Sequence, residues 1–452
     1  MLSSEEITPR DSPFYLREAV ASQSIKHARV EDSINLKMRL EGKLWRHKDF
    51  QRFWFGDTVG QFTAQITSLA LPTMAILTLG ANALQVGLLG ALQLLAFPVL
   101  GMFVGVWADR YRRRPIMILS EIGQVAALSS VPLTAFFHLL SLTLLYIVAA
   151  VTGVCTVFFD VCYQSYLPVL IDKSDLVEGN SKLQLSASAG QVGGPALAGF
   201  LIEVVDAAQA IALDALGSLI SALALISIRK VEPKPEAPVD RDFFGEMKEG
   251  AKVVLGNRTL WSIAGCTATW NLGANLAGVV LLIFEYDILG LSPGLVGVTF
   301  SVGSLGVLFG AWIAASAGKK LGLGRSIVLS SIGSIGLLLA PLALFGVPVF
   351  VLATSQFIIG ATSAVYNINQ VSLRQAITPD RLQGRMNATM RTIVWGTIPI
   401  GSFLGGILGQ SIGVITAIVV GGVISTLGVL WVLFSPVLAL KVIPEEGKSE
   451  QD

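Results

Sequence analysis

From residue 58 to residue 108 the chain runs for 51 residues without a Lys, Arg, Asp or Glu. In soluble domains about a quarter of residues are charged, so a run of this length belongs inside a bilayer. Roughly 20 apolar residues cross the hydrocarbon core, which makes the run two spans rather than one. Gly80-Ala81-Asn82-Ala83 supplies the turn, and the expected spans are about 52–79 and 84–107. Similar runs at 122–159, 326–373 and 392–440, with further spans in 183–228 and 259–318, bring the expected total to twelve. A charged fraction of 14%, an apolar fraction of 53% and a mean hydropathy of +0.67 agree with a polytopic membrane protein.

The position of the charges orients the spans. All 32 Lys and Arg fall in the N-terminal region, in alternate loops or after residue 440, and the opposite loops have none. By the positive-inside rule both termini are expected on the cytoplasmic side of the cell membrane. The first 50 residues mix acids and bases and contain no apolar signal core, so the first span itself is expected to direct insertion. The expected organisation is a tail at 1–49, a six-helix bundle at 50–228, a linker at 229–258, a second bundle at 259–440 and a tail at 441–452. Within the tail, Leu36, Leu40 and Leu44 have weak helical spacing, against the alternative of disorder. The linker opens proline-rich and continues with Phe243, Phe244, Met247, Ala251 and Val254 at helical spacing, as in an amphipathic helix on a membrane surface.

The two halves also repeat in sequence. At an offset of 206, Gln164, Leu167, Ile171, Leu176, Gly199 and Leu201 meet Gln370, Leu373, Ile377, Leu382, Gly405 and Ile407. At 207, Trp54 meets Trp261. Such internal duplication is common among transporters. Three cysteines are too few for a disulfide framework, and Cys155 and Cys162, about 10 Å apart along one helix, cannot bridge; with Cys266 they read as packing residues.

The turn after the second span reads Gly101-Met-Phe-Val-Gly-Val-Trp-Ala-Asp-Arg-Tyr-Arg-Arg-Arg-Pro115. Gly101 and Gly105, one helical turn apart, would let another helix approach closely. An acid among four arginines adds nothing to topology and points to ion pairing. Gly105, Asp109, Arg110, Arg113 and Arg114 match the loop between helices 2 and 3 of the major facilitator superfamily, which the chain resembles from about residue 44 to 440. Arg112 stands where that family has a second glycine. The resemblance implies an all-α membrane protein of twelve helices in two pseudo-symmetric bundles, with Asp109, Arg113 and Asp160 latching the halves together. In the fifth span, Gly190, Gly194, Pro195, Ala198 and Gly199 resemble the antiporter motif of the superfamily's drug exporters, Ala198 replacing a glycine; close helix packing is the alternative role. The sequences around Leu44–Gly56, Phe159–Pro168 and Leu382–Arg391 resemble a subgroup of macrolide and enterobactin exporters.

Ionisable groups within spans are costly and mark function. Asp57, Glu121 and Asp214 are the candidates for proton coupling, since a carboxylic acid can cross apolar surroundings neutral. Glu285 is expected to pair or to reach the interface. The resemblance places substrate contacts on the first, fourth, seventh and tenth spans; the candidates are Gln61, Gln65, Trp270, Asn271, Asn275, Gln356, Tyr366, Asn367 and Gln370, with Arg391 the deepest cation. Hydrogen bonding between helices is the competing role for each. No G-x-x-x-x-G-K-S/T loop is present for ATP. The expected function is therefore proton-coupled export of an amphipathic small molecule such as a drug, macrolide or siderophore, by a monomer. Its partners would be the lipid bilayer, protons and that substrate. No cofactor, metal, nucleic acid or enzymatic activity is expected. The alternatives are an importer or facilitator of the same fold, and a receptor or scaffold that no longer transports.

Overall fold

The computed structural model describes residues 43–233 and 243–440. The proposed tail helix, except for Leu44, and the tail at 441–452 lie outside these residues. The N-terminal bundle comprises α1 (Lys48–Leu77), α2 (Ala83–Arg110), α3 (Arg113–Phe136), α4 (Leu142–Leu170), α5 (Leu176–Val205) and α6 (Ala207–Ser227). A linker helix, α7 (Phe243–Gly256), leads to α8 (Arg258–Ile283), α9 (Pro293–Leu321), α10 (Leu323–Ser331), α11 (Pro348–Ile377), α12 (Asp380–Ile412) and α13 (Val414–Leu427). Helix α10 tightens into a 3-10 stretch, Ile332–Leu344, that completes its span, and a short helix at Val429–Leu433 extends α13.

Eleven spans in the described residues are long and apolar enough to cross a membrane. The twelfth membrane-length helix is α1, whose apolar character is diluted by Asp57, Gln61, Gln65 and four threonines. The long uncharged run divides where expected. Gly80 adopts φ +61°, and Asn82 caps α2 reciprocally with Gln85, each side chain accepting the other residue's backbone N–H. Helices α1, α2 and α5 continue past their apolar runs into charged residues at one end of the molecule, so their bounds there exceed the predicted ones.

Among the described residues that end carries the Lys and Arg side chains and is called the cationic end below; the other is the cation-free end. At the cation-free end one continuous apolar cluster joins both halves, from Leu71 and Met74 on α1 to Val280 on α8 and Ala417 on α13. At the cationic end the clusters are separate. Phe50, Met117, Tyr166 and Leu170 belong to the N-terminal half, whereas Ile263, Ile327, Leu373 and Val432 belong to the C-terminal half. The halves are therefore sealed together at one end and parted at the other.

Two helix crossings make the seal, and both depend on glycine. A Cβ on Gly87 of α2 would meet the Gly406 Cα at 2.6 Å, and one on Gly199 of α5 would meet the Gly297 Cα of α9 at 3.0 Å. Polar contacts reinforce them. Glu203 on α5 accepts hydrogen bonds from the Ser292 hydroxyl and the Gly294 N–H, both at 2.9 Å, at the start of α9, where the helix dipole favours an acid. Thr73 and Tyr286 join α1 to the end of α8 through hydroxyls 2.8 Å apart.

The linker helix does not simply lie on a membrane surface. Val254 is fully buried with Leu260, Ala264, Met386 and Met390, and Glu249 pairs with Arg381 and Arg385, so α7 is docked on the cationic end of α12. The side chains of Phe243, Phe244 and Met247 lie outside the described residues. All three cysteines are free.

Candidate functional site

Carboxyl groups gather in the N-terminal half. Asp57 lies two turns into α1, 5% exposed, with the Gln61 amide donating to it at 3.3 Å. Tyr163 and Asp160, both on α4, flank it. Behind this group, Ser221 on α6 donates to Glu121 on α3 at 2.5 Å, and Asp214 on α6 lies against Thr63 and Thr67 of α1. Glu121 is within electrostatic reach of both Asp214 and Asp57. The three predicted proton carriers thus share one neighbourhood, although they come from three helices.

The charged turn is stapled to its own half. Glu232, which follows α6, accepts the backbone N–H groups of Arg113 at 2.9 Å and Arg114 at 3.0 Å, and lies 3.8 Å from the Arg113 guanidinium. The Arg114 side chain donates to the carbonyls of Leu225 and Ile226, while Arg110 is exposed. Among the described residues Arg113 forms no ion pair with Asp160; Asp160 instead faces Arg391 on α12 of the other half. The Asp109 side chain lies outside the described residues. Among the described residues an added Cβ at Gly101 or Gly105 would have nothing within 4 Å, in keeping with halves that are parted at this end. Arg112 occupies the family's glycine position without strain, since its φ of −62° and ψ of 131° are extended backbone.

The antiporter-like stretch is a packing surface with two faces. Gly190 and Gly194 receive Gln61 and Gln65 of α1, Ala198 is fully buried, and Gly199 makes the crossing with α9. Beside that crossing the Ala196 N–H donates to the Ser301 hydroxyl at 2.9 Å, and the Pro195 carbonyl would block any Cβ at Gly297.

A cavity of about 560 Å³ opens within the C-terminal half. Six predicted contacts line it: Trp270 and Asn271 of α8, Tyr366, Asn367 and Gln370 of α11, and Arg391 of α12. The other four do not. Gln61 and Gln65 support α5, Asn275 donates to the Asn271 carbonyl at 2.8 Å, and Gln356 packs beneath Gly303 of α9. Sequence reasoning missed Arg374, Asn387 and Trp395 in the lining. Arg374 is one helical turn beyond Gln370, and Asn387 and Trp395 are one turn either side of Arg391, so the predicted faces already contained them. Arg391 lies over the Trp395 ring, 4.5 Å from its centre, and Trp395 touches Phe97 of the N-terminal half.

Glu285 departs from its predicted place at the interface. It is 0% exposed, and neither carboxyl oxygen has a hydrogen-bond partner. The reason is local: α8 ends in a widened π turn, Phe284–Ile288, whose Leu289 N–H reaches back to the Phe284 carbonyl, and the extra residue turns Glu285 inward at the seal.

Relatives agree with this architecture. The chain matches the Major Facilitator Superfamily over residues 53–340 and, in an overlapping match, 263–451. It is 25% identical over 379 residues to macrolide efflux protein A of Streptococcus pyogenes, covering 82% of this chain and 91% of that protein. It is 25% identical over 349 residues to the enterobactin exporter EntS of Shigella dysenteriae, covering 75% of this chain and 80% of that one. Its fold is similar to that of a bacterial homologue of the iron transporter ferroportin, with a TM-score of 0.68 at 18% identity over 85% of this chain and 98% of that one. Two six-helix halves around one cleft, and the family match along nearly the whole length, make this chain a transporter of the Major Facilitator Superfamily.

Proposed function

We propose that the chain is a proton-coupled exporter of amphipathic small molecules. The observation that carries this reading is the carboxyl cluster around Asp57 and Asp160, placed on one wall of a cleft whose opposite wall holds Arg391 and the cavity. Protonation on one wall and substrate on the other would then act on the same cleft. Relatives named as exporters, and the glycine surface of α5, favour outward transport.

With the termini cytoplasmic, the parted cationic end makes this the inward-facing form. Substrate enters from the cytoplasm and occupies the cavity; the cationic end then closes as the glycine crossings at the other end separate. Alternating access requires that proton and substrate each bind the two forms with different affinity. Asp57 is the foremost proton carrier because it stands beside the cleft, whereas Glu121 and Asp214 are enclosed behind it. Asp109, Arg113 and Asp160 serve as the latch of the form in which the cationic end is closed, when the turn and α4 meet the other half. Asp109→Asn should therefore lower transport while leaving insertion intact.

The test is efflux from intact cells preloaded with a fluorescent amphipath, either cationic ethidium or carboxyfluorescein introduced as its diacetate. Expression should produce uphill efflux that stops when an ionophore collapses the proton gradient. Unchanged uphill efflux after collapse would rule out proton coupling, and inward accumulation would make the protein an importer.

A further inference from the structure

The C-terminal cavity contains a cation whose counter-charge is missing. Arg374 is in the last turn of α11 and lines the cavity, yet among the described residues it forms no ion pair. Its Nε is shielded from solvent and has no hydrogen-bond partner. One turn away, Gln370 is 3% exposed; its amide nitrogen donates to the Asn367 side chain at 2.9 Å, while its oxygen has no partner. The second cation of the site, Arg391, has the Asp160 carboxyl within electrostatic reach across the cleft. One positive charge is left over in a pocket whose remaining walls are aromatic, apolar, amide, hydroxyl or thiol, with no acid among them.

A cation that served only topology would extend its guanidinium to the membrane interface. Arg374 instead lines the cavity and keeps its Nε closed off and unpartnered beside it, which is costly unless the side chain turns to meet a partner there. Guanidinium groups pair with carboxylates through two parallel N–H donors, and the side-on form of that pairing uses Nε. The unpartnered Nε is the donor that this side-on pairing uses, and a turn of the Arg374 side chain toward the cavity would present it to an oxyanion.

We propose that this pocket is a subsite for the anionic head of an amphipathic substrate, a carboxylate or similar planar oxyanion held by Arg374 and backed by Arg391. The substrate's aromatic or apolar body lies against Trp270, Tyr366 and Trp395. A hydroxyl or N–H beside the acid group donates to the free Gln370 oxygen. The inference rests on the transport reading and narrows it: neutral amphipaths would bind through the body alone, and cations would be disfavoured.

Calorimetric titration of the purified full-length protein with three probes of one shape tests this: 1-naphthylacetate, 1-naphthylacetamide and 1-naphthylmethylamine. Because a charge-assisted pair is stronger than a neutral one, the acid should bind at least about tenfold more tightly than the amide, and the amine most weakly. Arg374→Gln should reduce acid affinity to that of the amide measured on the same variant, without lowering the melting temperature. Arg374→Lys should recover part of the preference, since it restores the charge but not the fork. Equal affinity for acid and amide in the unaltered protein, tightest binding of the amine, binding of none of the three, or a preference that survives Arg374→Gln would each overturn the subsite. Because binding is measured without a gradient, a protein that prefers the acid but fails to export would count against the export reading alone. An exporting protein without the preference would count against the subsite alone.

Discussion

Asp57 differs from Glu121 and Asp214 in its neighbours, the Gln61 amide, Tyr163 and Asp160, the last of which faces Arg391 of the other half. If it carries the proton, Asp57→Asn should abolish uphill efflux yet preserve exchange of dye down its own gradient, because the amide retains the hydrogen bond to Gln61 but cannot release a proton. Normal uphill efflux by this variant would transfer the role to Glu121 or Asp214. Glu285 invites a different measurement. A buried polar group without partners costs about 1–3 kcal/mol, so Glu285→Met, similar in size and apolar, should raise thermal stability by that order. It should also slow transport by strengthening the seal; a lower melting temperature together with normal turnover would contradict this. Asp57, Glu121 and Asp214 were legible as functional suspects because any acid in an apolar span stands out. The enclosure of Glu285 was not legible, since it depends on one extra residue in a turn. Arg374 was obscured for a different reason: one of 32 cations that the sequence reading assigns to a single side, it looked like part of the topology signal.

At the scale of the helix, Gly190–Gly199 takes the close-packing role that the sequence offered as its alternative reading, and its part in antiport belongs to the proposed function. Part of that packing surface is the crossing with α9, which would open in the proposed transport cycle. Gly297→Val would drive a side chain into the Pro195 carbonyl and the Gly199 backbone. The seal should then fail to close, so that a cysteine at Thr73, 1% exposed in the sealed form, becomes reactive to a membrane-impermeant thiol reagent from the cation-free side. Continued protection of that cysteine would show that the crossing does not hold the seal. The number of helices and most of their centres could be read from uncharged runs and turn residues. Their ends at the cationic side could not, because charged residues extend a helix past the membrane without an apolar signal. The docking of α7 was also hidden: its apolar spacing predicts a buried face but does not say whether lipid or α12 covers it.

For the molecule as a whole, the repeat seen in sequence becomes a pair of equivalent bundles. Trp54 and Trp261 are near the starts of α1 and α8, and Gly199 and Gly405 are close-packing positions on α5 and α12. Which end is sealed was beyond reach of the sequence, since either form of an alternating-access protein satisfies the same helical pattern. Orientation can be checked directly: a cysteine at Asn82 should react with an impermeant reagent in intact cells, and one in the N-terminal tail should not. The central claim is that substrate and protons move in opposite directions through one cleft. It is tested most directly by the external pH of a lightly buffered suspension of proteoliposomes, loaded with whichever dye the cells export and diluted into dye-free medium. As dye leaves, protons should enter and the medium should become alkaline, and Asp57→Asn should remove the pH change while dye continues to exchange. Dye efflux with no pH change, or with acidification, would contradict antiport.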